Sequence, residues 1–591
     1  MRYLKLVQAS IIWILVAGFI AINQQDPEEF SEDPAVFIKQ LNTYFESQNN
    51  RKVQLILKEF ITDWDEGKFT LQVQKEVIRN SNLMRKQNIR PHMGYSDYLE
   101  ALSSFTETTG NQSILEWHKA LQPFIDSKGL KQLKTYLNNT TQFNRDHVLF
   151  KQNTNVWKFE GSGFTYRYDS TLSIELKDIN LICFSGRDSI SILGTSGTFF
   201  PLADRFQGRD GKVNWSKYGY DPRNVYVVVD TYKVNLKETY WKADTVNFYH
   251  KVYFDKALVG SLEDRVLAGV PLERSSFPKF VSFDKDISIK NLYKNIDYFG
   301  GFTIEGSRIV GSGDTYSDAN IFVKKGTELI MRLDSKSFVI RPDRLISPRT
   351  AATIYYENDS IYHPGLNLRY VNENRELALL RNGEGVSGSP FFSSFHKIDM
   401  YFQGMYYSID ADSINFEMLR GLSNKGTATF ESTNFYSEER FDKLQGIDAI
   451  NPINVIYNYS EKNKVKVFFL PELAKFVQKP IEQVKAMAIN LSNGGFITYN
   501  IDNDRIEVKQ RLYDYLNARS KKMDYDVIQI RSNVDRGANG VLNLKTFNIT
   551  VRGVDSVALS DVKAVNIIPR TKEIIIGRNR DFVFTGMVKP G

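Results

Sequence analysis

The feature that most constrains the fold is an alternation of apolar and polar residues that begins near Asn155. Leu172, Ile174 and Leu176 alternate with polar residues, and the alternation resumes at Ile179. Because successive side chains of a strand point to opposite faces, this period of two indicates half-buried β-strands. Similar patterns recur at residues 226–236, 329–333, 398–402, 465–469 and 542–551. The sequence therefore predicts a long body built mainly of strands.

The composition is that of a large folded protein. With 591 residues the chain is too long for one ordinary domain and indicates about two to four. Its 42% hydrophobic and 25% charged residues argue against disorder, and 13% aromatic residues favour strands. The net charge of +7 weakly favours an anionic partner such as a lipid head group, a membrane surface or an acidic glycan. No arginine-rich run or nucleic-acid motif is present, so we do not expect nucleic acid as a partner.

Residues 34–145 show a different pattern, in which apolar residues recur at helical spacing. Asp33-Pro34 is a start signal, since proline is favoured at the first helical position. The apolar stripes are Phe37, Leu41, Tyr44 and Phe45; Leu57, Phe60, Ile61 and Trp64; Tyr98, Leu99, Leu102 and Phe105; Ile114, Leu115, His118, Leu121, Phe124 and Ile125; and Leu130, Leu133 and Leu137. We therefore expect a domain of about four to six short amphipathic helices.

A second helical region interrupts the strands at residues 466–525. Helical patterns at residues 471–487 and 507–519 flank a hairpin signal around Asp502-Asn503. This order predicts a small inserted α+β module, and it resembles part of a winged helix. The module carries basic residues that a solvated helical face explains as well as a binding face does: Lys475, Lys479, Lys485, Lys509, Arg511, Lys521 and Lys522.

Residues 1–24 have the layout of a secretory signal peptide. Arg2 and Lys5 precede an apolar run from Ile11 to Ile22, which is short for a helix that crosses a bilayer. The segment Val16-Ala17-Gly18 fits the small-residue rule for cleavage but would cut early. An uncleaved N-terminal inner-membrane anchor is the alternative. We expect an exported protein of the periplasm or outer envelope.

Asp-Ser pairs recur along the strand region. They occur at residues 169–170, 188–189, 334–335, 359–360, 412–413 and 555–556, and Asp244-Thr245 is similar. Because these side chains bond the backbone two residues on, each pair predicts a tight turn that leads into a strand. Recurrent units of turn and strand are typical of a solenoid or an elongated jelly roll, although the spacings here are uneven.

No motif of cofactor or catalytic chemistry is present, so we assign no catalytic residue and expect no cofactor. Cys183 is the only cysteine, which excludes an intrachain disulfide, and its place in the alternation predicts a small buried side chain. The six histidines lack the spacing of a local metal site, so we expect no metal: His92, His118, His147, His250, His363 and His396.

The remaining candidates for chemistry have simpler structural interpretations. Asp204-Arg205 with Arg209-Asp210, and the segment Arg341–Arg344, could serve acid–base chemistry on a sugar acid, but surface ion pairs explain them better. The segment Gly383–Pro390 has the wrong spacing for a nucleotide loop and predicts a loop between strands. Three further residues could line a pocket but fit a packed core better: Trp64, Trp117 and His118.

The strand region resembles that of large exported proteins of Bacteroidota. Its phrases Gly301–Gly306 and Trp241–Val246 are similar to the elongated β-jelly-roll of lipopolysaccharide-transport (OstA-like) proteins. The resemblance implies a twisted β-groove that shields acyl chains and has no catalytic residues. The helical N-terminal part has no counterpart in that family.

Together these patterns predict an α+β protein that is mainly β. The expected domains are a signal or anchor at 1–24, a helical domain at 34–145, an elongated β-solenoid or jelly-roll body at 155–465, an α+β insertion at 466–525 and a β-rich continuation at 526–591. We expect a non-enzymatic cell-envelope protein that binds or conducts lipid or glycolipid, or scaffolds envelope proteins. The alternatives are a polysaccharide lyase or glycoside hydrolase on a β-helix, which needs a cleft where carboxylates and Arg or Lys converge, and a surface adhesin. The last residues, 581–591, pattern as a strand and turn, and we expect a longer protein to continue from them.

Overall fold

A computed structural model describes most of the chain. The described residues are 29–46, 48–108, 110–126, 129–314, 317–383, 385–419, 426–445, 450–560 and 565–589. The signal or anchor expected at 1–24 lies outside them. The chain has a mixed α/β fold, with an N-terminal helical region and extensive antiparallel sheet.

Several helices begin where the sequence supplies a side chain that caps the first turn. The side chain of Asn50 accepts hydrogen bonds from the backbone N–H groups of Lys52 and Val53, and Thr70 caps the next helix in the same way. The described α-helices are α1 Pro34–Glu46, α2 Arg51–Asp65, α3 Leu71–Lys86, α4 Tyr95–Thr106, α5 Asn111–Asp126, α6 Leu130–Asp146, α7 Glu438–Gln445, α8 Pro452–Asn463, α9 Leu470–Val477, α10 Ile481–Asn493 and α11 Gln510–Arg519.

The strands follow the alternation of apolar residues. Ser170 lies between the paired strands Gly163–Asp169 and Thr171–Ser185, and its positive φ of 60° closes a tight turn between them. The described strands are β1 Val148–Gln152, β2 Asn155–Glu160, β3 Gly163–Asp169, β4 Thr171–Ser185, β5 Asp188–Phe200, β6 Arg205–Asn214, β7 Val225–Asn235, β8 Tyr240–His250, β9 Leu258–Arg265, β10 Lys279–Ser282, β11 Ile287–Tyr293, β12 Ile296–Glu305, β13 Arg308–Ser312, β14 Ala319–Lys325, β15 Glu328–Ser335, β16 Ser337–Ile340, β17 Arg344–Tyr356, β18 Asp359–Val371, β19 Glu376–Leu380, β20 Phe391–Ser393, β21 Ile398–Tyr401, β22 Gly404–Ser408, β23 Ser413–Glu417, β24 Ala428–Ser432, β25 Val467–Phe469, β26 Ile497–Asn500, β27 Arg505–Val508, β28 Gln529–Ser532, β29 Gly540–Asn543, β30 Ile549–Arg552, β31 Val557–Ser560, β32 Val565–Pro569, β33 Glu573–Ile576, β34 Phe582–Val583 and β35 Gly586–Lys589.

The chain divides into two compact units. The first unit contains the described residues up to Phe248 together with Ser261–Pro278. The second unit contains Tyr249–Gly260 and the residues from Lys279 onward. The division between the two units therefore differs from the expected division into a helical domain at 34–145 and a β-rich domain at 155–465. The reason is that the first strands belong to the same unit as the helices.

In the first unit an antiparallel sheet supports the helices. Strand β4 pairs with β3 through its first half, with β2 through its second half and with β5 along its length, and β6 and β7 follow in order. The sheet binds the helical layer through Asn144, whose side chain donates to Ser104 Oγ and accepts from Tyr166 Oη, each at 2.9 Å. Phe143 of α6 also stacks on Phe199 of β5 at 5.7 Å between ring centroids. The helical layer and the sheet thus share one core.

In the second unit three long strands change partners midway. Strand β12 pairs with β14 through residues 296–299 and with β13 through residues 301–305. Strand β17 pairs with β15 through one part and with β16 through another. Strand β18 pairs in the same way with β20 and with β19. Two rows result, one through β14, β15, β20, β21, β24 and β28, and the other through β13, β16, β19, β22, β23, β29 and β30.

The core of this unit lies between the two rows. Phe402 stacks on Phe391 of the first row at 4.1 Å and on Phe416 of the second at 4.5 Å. The Tyr298 ring lies against Gly311 of the opposite row, where a Cβ would come within 2.4 Å of it. Close packing of large rings therefore joins the rows.

The inserted module has helices and strands in the order α8, β25, α9, α10, β26, β27. Its sheet has the strand order β25-β27-β26, and three residues separate α9 from α10. This element order is that of a winged helix. The hairpin expected around Asp502-Asn503 is confirmed, with β26 and β27 on either side.

Some boundaries differ from those expected. The module begins before residue 466, because Asn451 caps α8 and Pro452 occupies its first turn. The single helix expected at 471–487 is two helices, since Gln478 adopts a left-handed conformation ahead of Pro480. In the N-terminal part the structure adds α3, whose buried face combines the apolar Val73, Val77, Ile78 and Met84 with the polar Asn80 and Ser81.

Candidate functional site

An apolar pocket of about 710 Å³ lies in the first unit between α6 and strands β1, β3, β4 and β5. Helix α6 lines it with residues at positions 131, 132, 135, 136, 139, 140 and 143. These positions recur at intervals of three and four, so they form one face of the helix. The volume is within the usual range of small-molecule sites.

The inner wall of the apolar pocket consists of aromatic and aliphatic side chains. Phe124 stacks on Tyr136 at 4.6 Å between ring centroids. Leu172 and Ile174 of β4 and Phe199 of β5 are buried beside them. Some apolar lining side chains keep exposed surface, among them Phe124, Phe150 and Leu202. An apolar ligand would remove their hydrocarbon from water.

The polar side chains of this inner wall already have hydrogen-bond partners. Thr140 Oγ1 accepts from Trp117 Nε1 and donates to the Tyr136 carbonyl, each at 3.0 Å. Tyr166 Oη donates to Asn144. Burial raises the pKa of Tyr136 and of Tyr166, so both phenols are neutral at physiological pH. The interior of the apolar pocket therefore favours an apolar ligand.

The mouth of the apolar pocket is basic. Lys131, Lys151 and Lys237 lie there with one acid, Asp204. Lys237 Nζ lies 3.3 Å from the Asp204 carboxylate, whereas Lys131 and Lys151 form no ion pair with any residue that the structure describes. The two uncompensated ammonium groups attract anions to an otherwise apolar opening.

A second cavity, the polar cleft, has a volume of about 1000 Å³ and lies in the second unit. Its floor is the outer face of the first strand row, and its wall consists of β26, β27 and the first turns of α11. The wall is fixed to the floor by an ion pair between Arg349 of β17 and Asp502, at 2.6 Å.

Buried charges hold α11 on the floor of the polar cleft. Arg511 contacts Asp399 of β21 and lies 2.5 Å from Glu431 of β24, and Arg440 of α7 binds both oxygens of Glu431 at 2.8 and 3.0 Å. Burial raises the pKa of Asp399 to about 6, against the lowering effect of Arg511. Burial also acts on Glu431, but Arg440 and Arg511 outweigh it and its pKa is below the ordinary value. The negative charges of Asp399 and Glu431 are thus balanced by the two guanidinium groups of Arg440 and Arg511.

Each charged cluster singled out in the sequence has an acid that forms an ion pair with a basic side chain. Asp204 pairs with Lys237, and Asp343 pairs with Arg344 at 3.1 Å. Arg205 lies over the Phe200 ring. The segment Gly383–Pro390 is a connection between β19 and β20 that contains a short 3₁₀ turn.

The predictions of buried side chains are confirmed. Trp64, Trp117 and His118 lie in the helical core, and Cys183 is buried in β4. Most Asp-Ser pairs lie where a strand begins or a hairpin turns, but Asp334-Ser335 ends β15 and Asp244-Thr245 lies mid-strand in β8. In β8 both residues are exposed between the buried Ala243 and Val246, and the tight turn predicted from the pair is absent there.

Sequence reasoning missed the pocket-lining face of α6. Its expected stripe of Leu130, Leu133 and Leu137 includes the buried residues of the helical core, whereas Tyr136, Thr140 and Phe143 form a second face toward the sheet. The aromatic residues at 136 and 143, seven apart, were the available signal. The polar cleft has no comparable signal in the sequence, because the residues that line it come from segments far apart in the chain, from β14 to α11.

Although the elements follow the order of a winged helix, the hairpin of β26 and β27, which would be the wing, is not a free basic surface. The wing tip is bound to the sheet through Asp502, and α10 carries Lys485 and Glu482 but no arginine. This arrangement gives no support to nucleic acid as a ligand, and its absence as a partner stays a prediction.

No protein-family model, curated protein or solved structure matches this chain. The similarity to OstA-like proteins therefore stays a prediction. No helix in the described part of the chain is long and apolar enough to cross a membrane. Among the same residues no group of three or more His, Cys, Asp or Glu side chains is arranged to hold a metal ion.

Proposed function

We propose that this protein is a non-enzymatic cell-envelope protein that binds a lipid with an anionic end in the apolar pocket. The observation that carries the proposal is a pocket with an apolar interior and two unpaired lysines at its mouth. An acyl chain would fill the interior, and a carboxylate or phosphate would lie near Lys131 and Lys151. Burial of hydrocarbon supplies the affinity, and charge selects the end that stays outside.

The same proposal includes the finer architecture and the location. An elongated jelly roll or solenoid in the second unit is supported by the three strands that change partners midway. Export to the periplasm or outer envelope is supported by the basic and apolar segments of residues 1–24. A β-rich body of this kind would also scaffold envelope partners.

The first test is to identify the lipids that co-purify with the full chain from a Gram-negative envelope, by mass spectrometry. A fluorescent C16 fatty acid then reports affinity for the purified protein. We expect Thr135→Trp, at an exposed lining position of α6, to lower that affinity about tenfold by filling the pocket. Asn138→Trp is the matched control, since Asn138 is exposed on the same helix but does not line the pocket.

Charge at the mouth is tested separately. The double variant Lys131→Glu/Lys151→Glu should weaken fatty-acid binding and reverse its dependence on salt, because two repelling carboxylates replace two attracting ammonium groups. Lys242→Glu, at an exposed position of β8, should leave both unchanged. Protein free of co-purified lipid that also fails to bind the fatty acid would exclude the proposal, as would equal effects of the tryptophan at 135 and 138.

A further inference from the structure

Part of the floor of the polar cleft is a row of side chains that crosses five strands. Antiparallel register places Arg332 of β15 opposite Thr353 of β17, and Thr353 opposite Tyr362 of β18. Tyr362 is in turn opposite Phe392 of β20, and Phe392 is opposite Asp399 of β21. Directly opposite residues share a face of the sheet. Four steps of about 4.8 Å make the row roughly 19 Å long, and the part from Arg332 to Phe392, before the buried Asp399, is roughly 14 Å long.

The centre of the row is aromatic. Tyr362 and Phe392 are cross-strand neighbours, each only partly buried, and both line the cleft. Lys509 Nζ lies 6.0 Å from the Tyr362 ring and 5.8 Å from the Phe392 ring. Two neighbouring rings on a polar floor offer an apolar surface beside the Lys509 ammonium group. A pyranose ring matches it, since it has a C–H face and a rim of hydroxyl groups.

The charges around the rings are mostly neutralised within the protein. Five basic and five acidic side chains line the cleft. Arg332 lies 3.0 Å from Asp334, Lys509 lies 3.1 Å from Glu507, and Arg511 contacts Asp399. The first two pairs are partly exposed and still present hydrogen-bond donors and acceptors, whereas the Arg511–Asp399 pair is buried; none of the three attracts a net charge. Hydroxyl groups both donate and accept, so they fit such a lining better than a phosphate or a uronate does.

The cleft is also pre-formed. Its wall is fixed by the Arg349–Asp502 ion pair and by the buried Arg511 network, so little freedom is lost when a ligand binds. We propose that the polar cleft binds an uncharged oligosaccharide along the row from Arg332 to Phe392. This site is separate from the apolar pocket and takes a different class of ligand.

The test is calorimetric titration of the full chain with neutral gluco-, manno- and N-acetylglucosamine oligosaccharides of four to six rings. Oligogalacturonate of the same length is the acidic comparison. We expect at least one neutral series to bind, with affinity that rises with length, and oligogalacturonate to bind more weakly. The proposal is overturned if no neutral oligosaccharide binds to the protein, or if oligogalacturonate binds more tightly than every neutral oligosaccharide.

Variants locate the binding site. Phe392→Ala should weaken binding about tenfold by removing one stacking ring, and Phe283→Ala should not, since that exposed ring does not line the cleft. Gln510→Ala removes an exposed polar group of the wall and should weaken binding less, without a cost in stability. Thermal unfolding of each variant shows that it is folded. Unchanged binding in both Phe392→Ala and Gln510→Ala would place the sugar elsewhere and overturn the assignment.

Discussion

Asp264 of β9 is an acid that the fold of the first unit buries almost completely. It is 3% exposed, and its Oδ1 accepts a hydrogen bond of 2.9 Å from the Arg265 backbone. Burial raises its pKa from 3.8 to about 7; Lys217 lowers the pKa, Asp188 raises it further, and burial dominates. The folded state therefore holds a proton that the unfolded state releases between pH 4 and 7. Stability associated with this carboxyl group is present below pH 4 and is lost as the pH rises through 7.

We predict that Asp264→Asn flattens this part of the pH profile. The shift corresponds to on the order of 4 kcal/mol at pH 8, so the variant should unfold at higher urea than the wild type there. At pH 4 the two should agree within about 1 kcal/mol, because asparagine keeps the accepting oxygen. Urea unfolding at pH 4, 6 and 8 measures this, with Glu263→Gln in the same strand as the control. Parallel profiles for wild type and Asp264→Asn would contradict it.

At the scale of elements, α11 is held on the sheet by charge as well as by packing. Arg511→Met leaves Asp399 buried without a cation, and the loss of one partner of a buried pair costs roughly 3–5 kcal/mol. The double variant Arg511→Met/Asp399→Asn should recover most of this, since Glu431 keeps Arg440. Thermal unfolding of the single and double variants tests the prediction, with the exposed Arg505→Met as control. A double variant as unstable as Arg511→Met would show that packing, not charge, is the cause.

Elements that depend on nearby residues could be predicted from the sequence. The alternation gave the strands, the apolar stripes gave most of the N-terminal helices, and Asp502-Asn503 marked its hairpin. Their assembly could not be predicted, because register and partner choice are set by contacts distant in sequence. Both cavities lie where such segments meet: α6 with β4 and β5, and β15 to β21 with α11. A second apolar face on a helix, such as Tyr136 and Phe143 on α6, is the kind of pattern that can reveal one of them.

For the whole molecule, we predict that the N-terminal segment determines where these sites operate. An apolar run behind Arg2 and Lys5 should direct export, so the full chain should fractionate with the envelope of a Gram-negative host. Ile12→Arg/Leu15→Arg places two charges in the run and should retain the protein in the cytosol, whereas Gln24→Arg, beyond the run, should not. Intact mass then separates two forms of export: loss of residues 1–18 indicates cleavage after Gly18, and an unshortened chain in the membrane fraction indicates an anchor. A wild-type chain found in the cytosol would contradict export and, with it, access of the apolar pocket to envelope lipid.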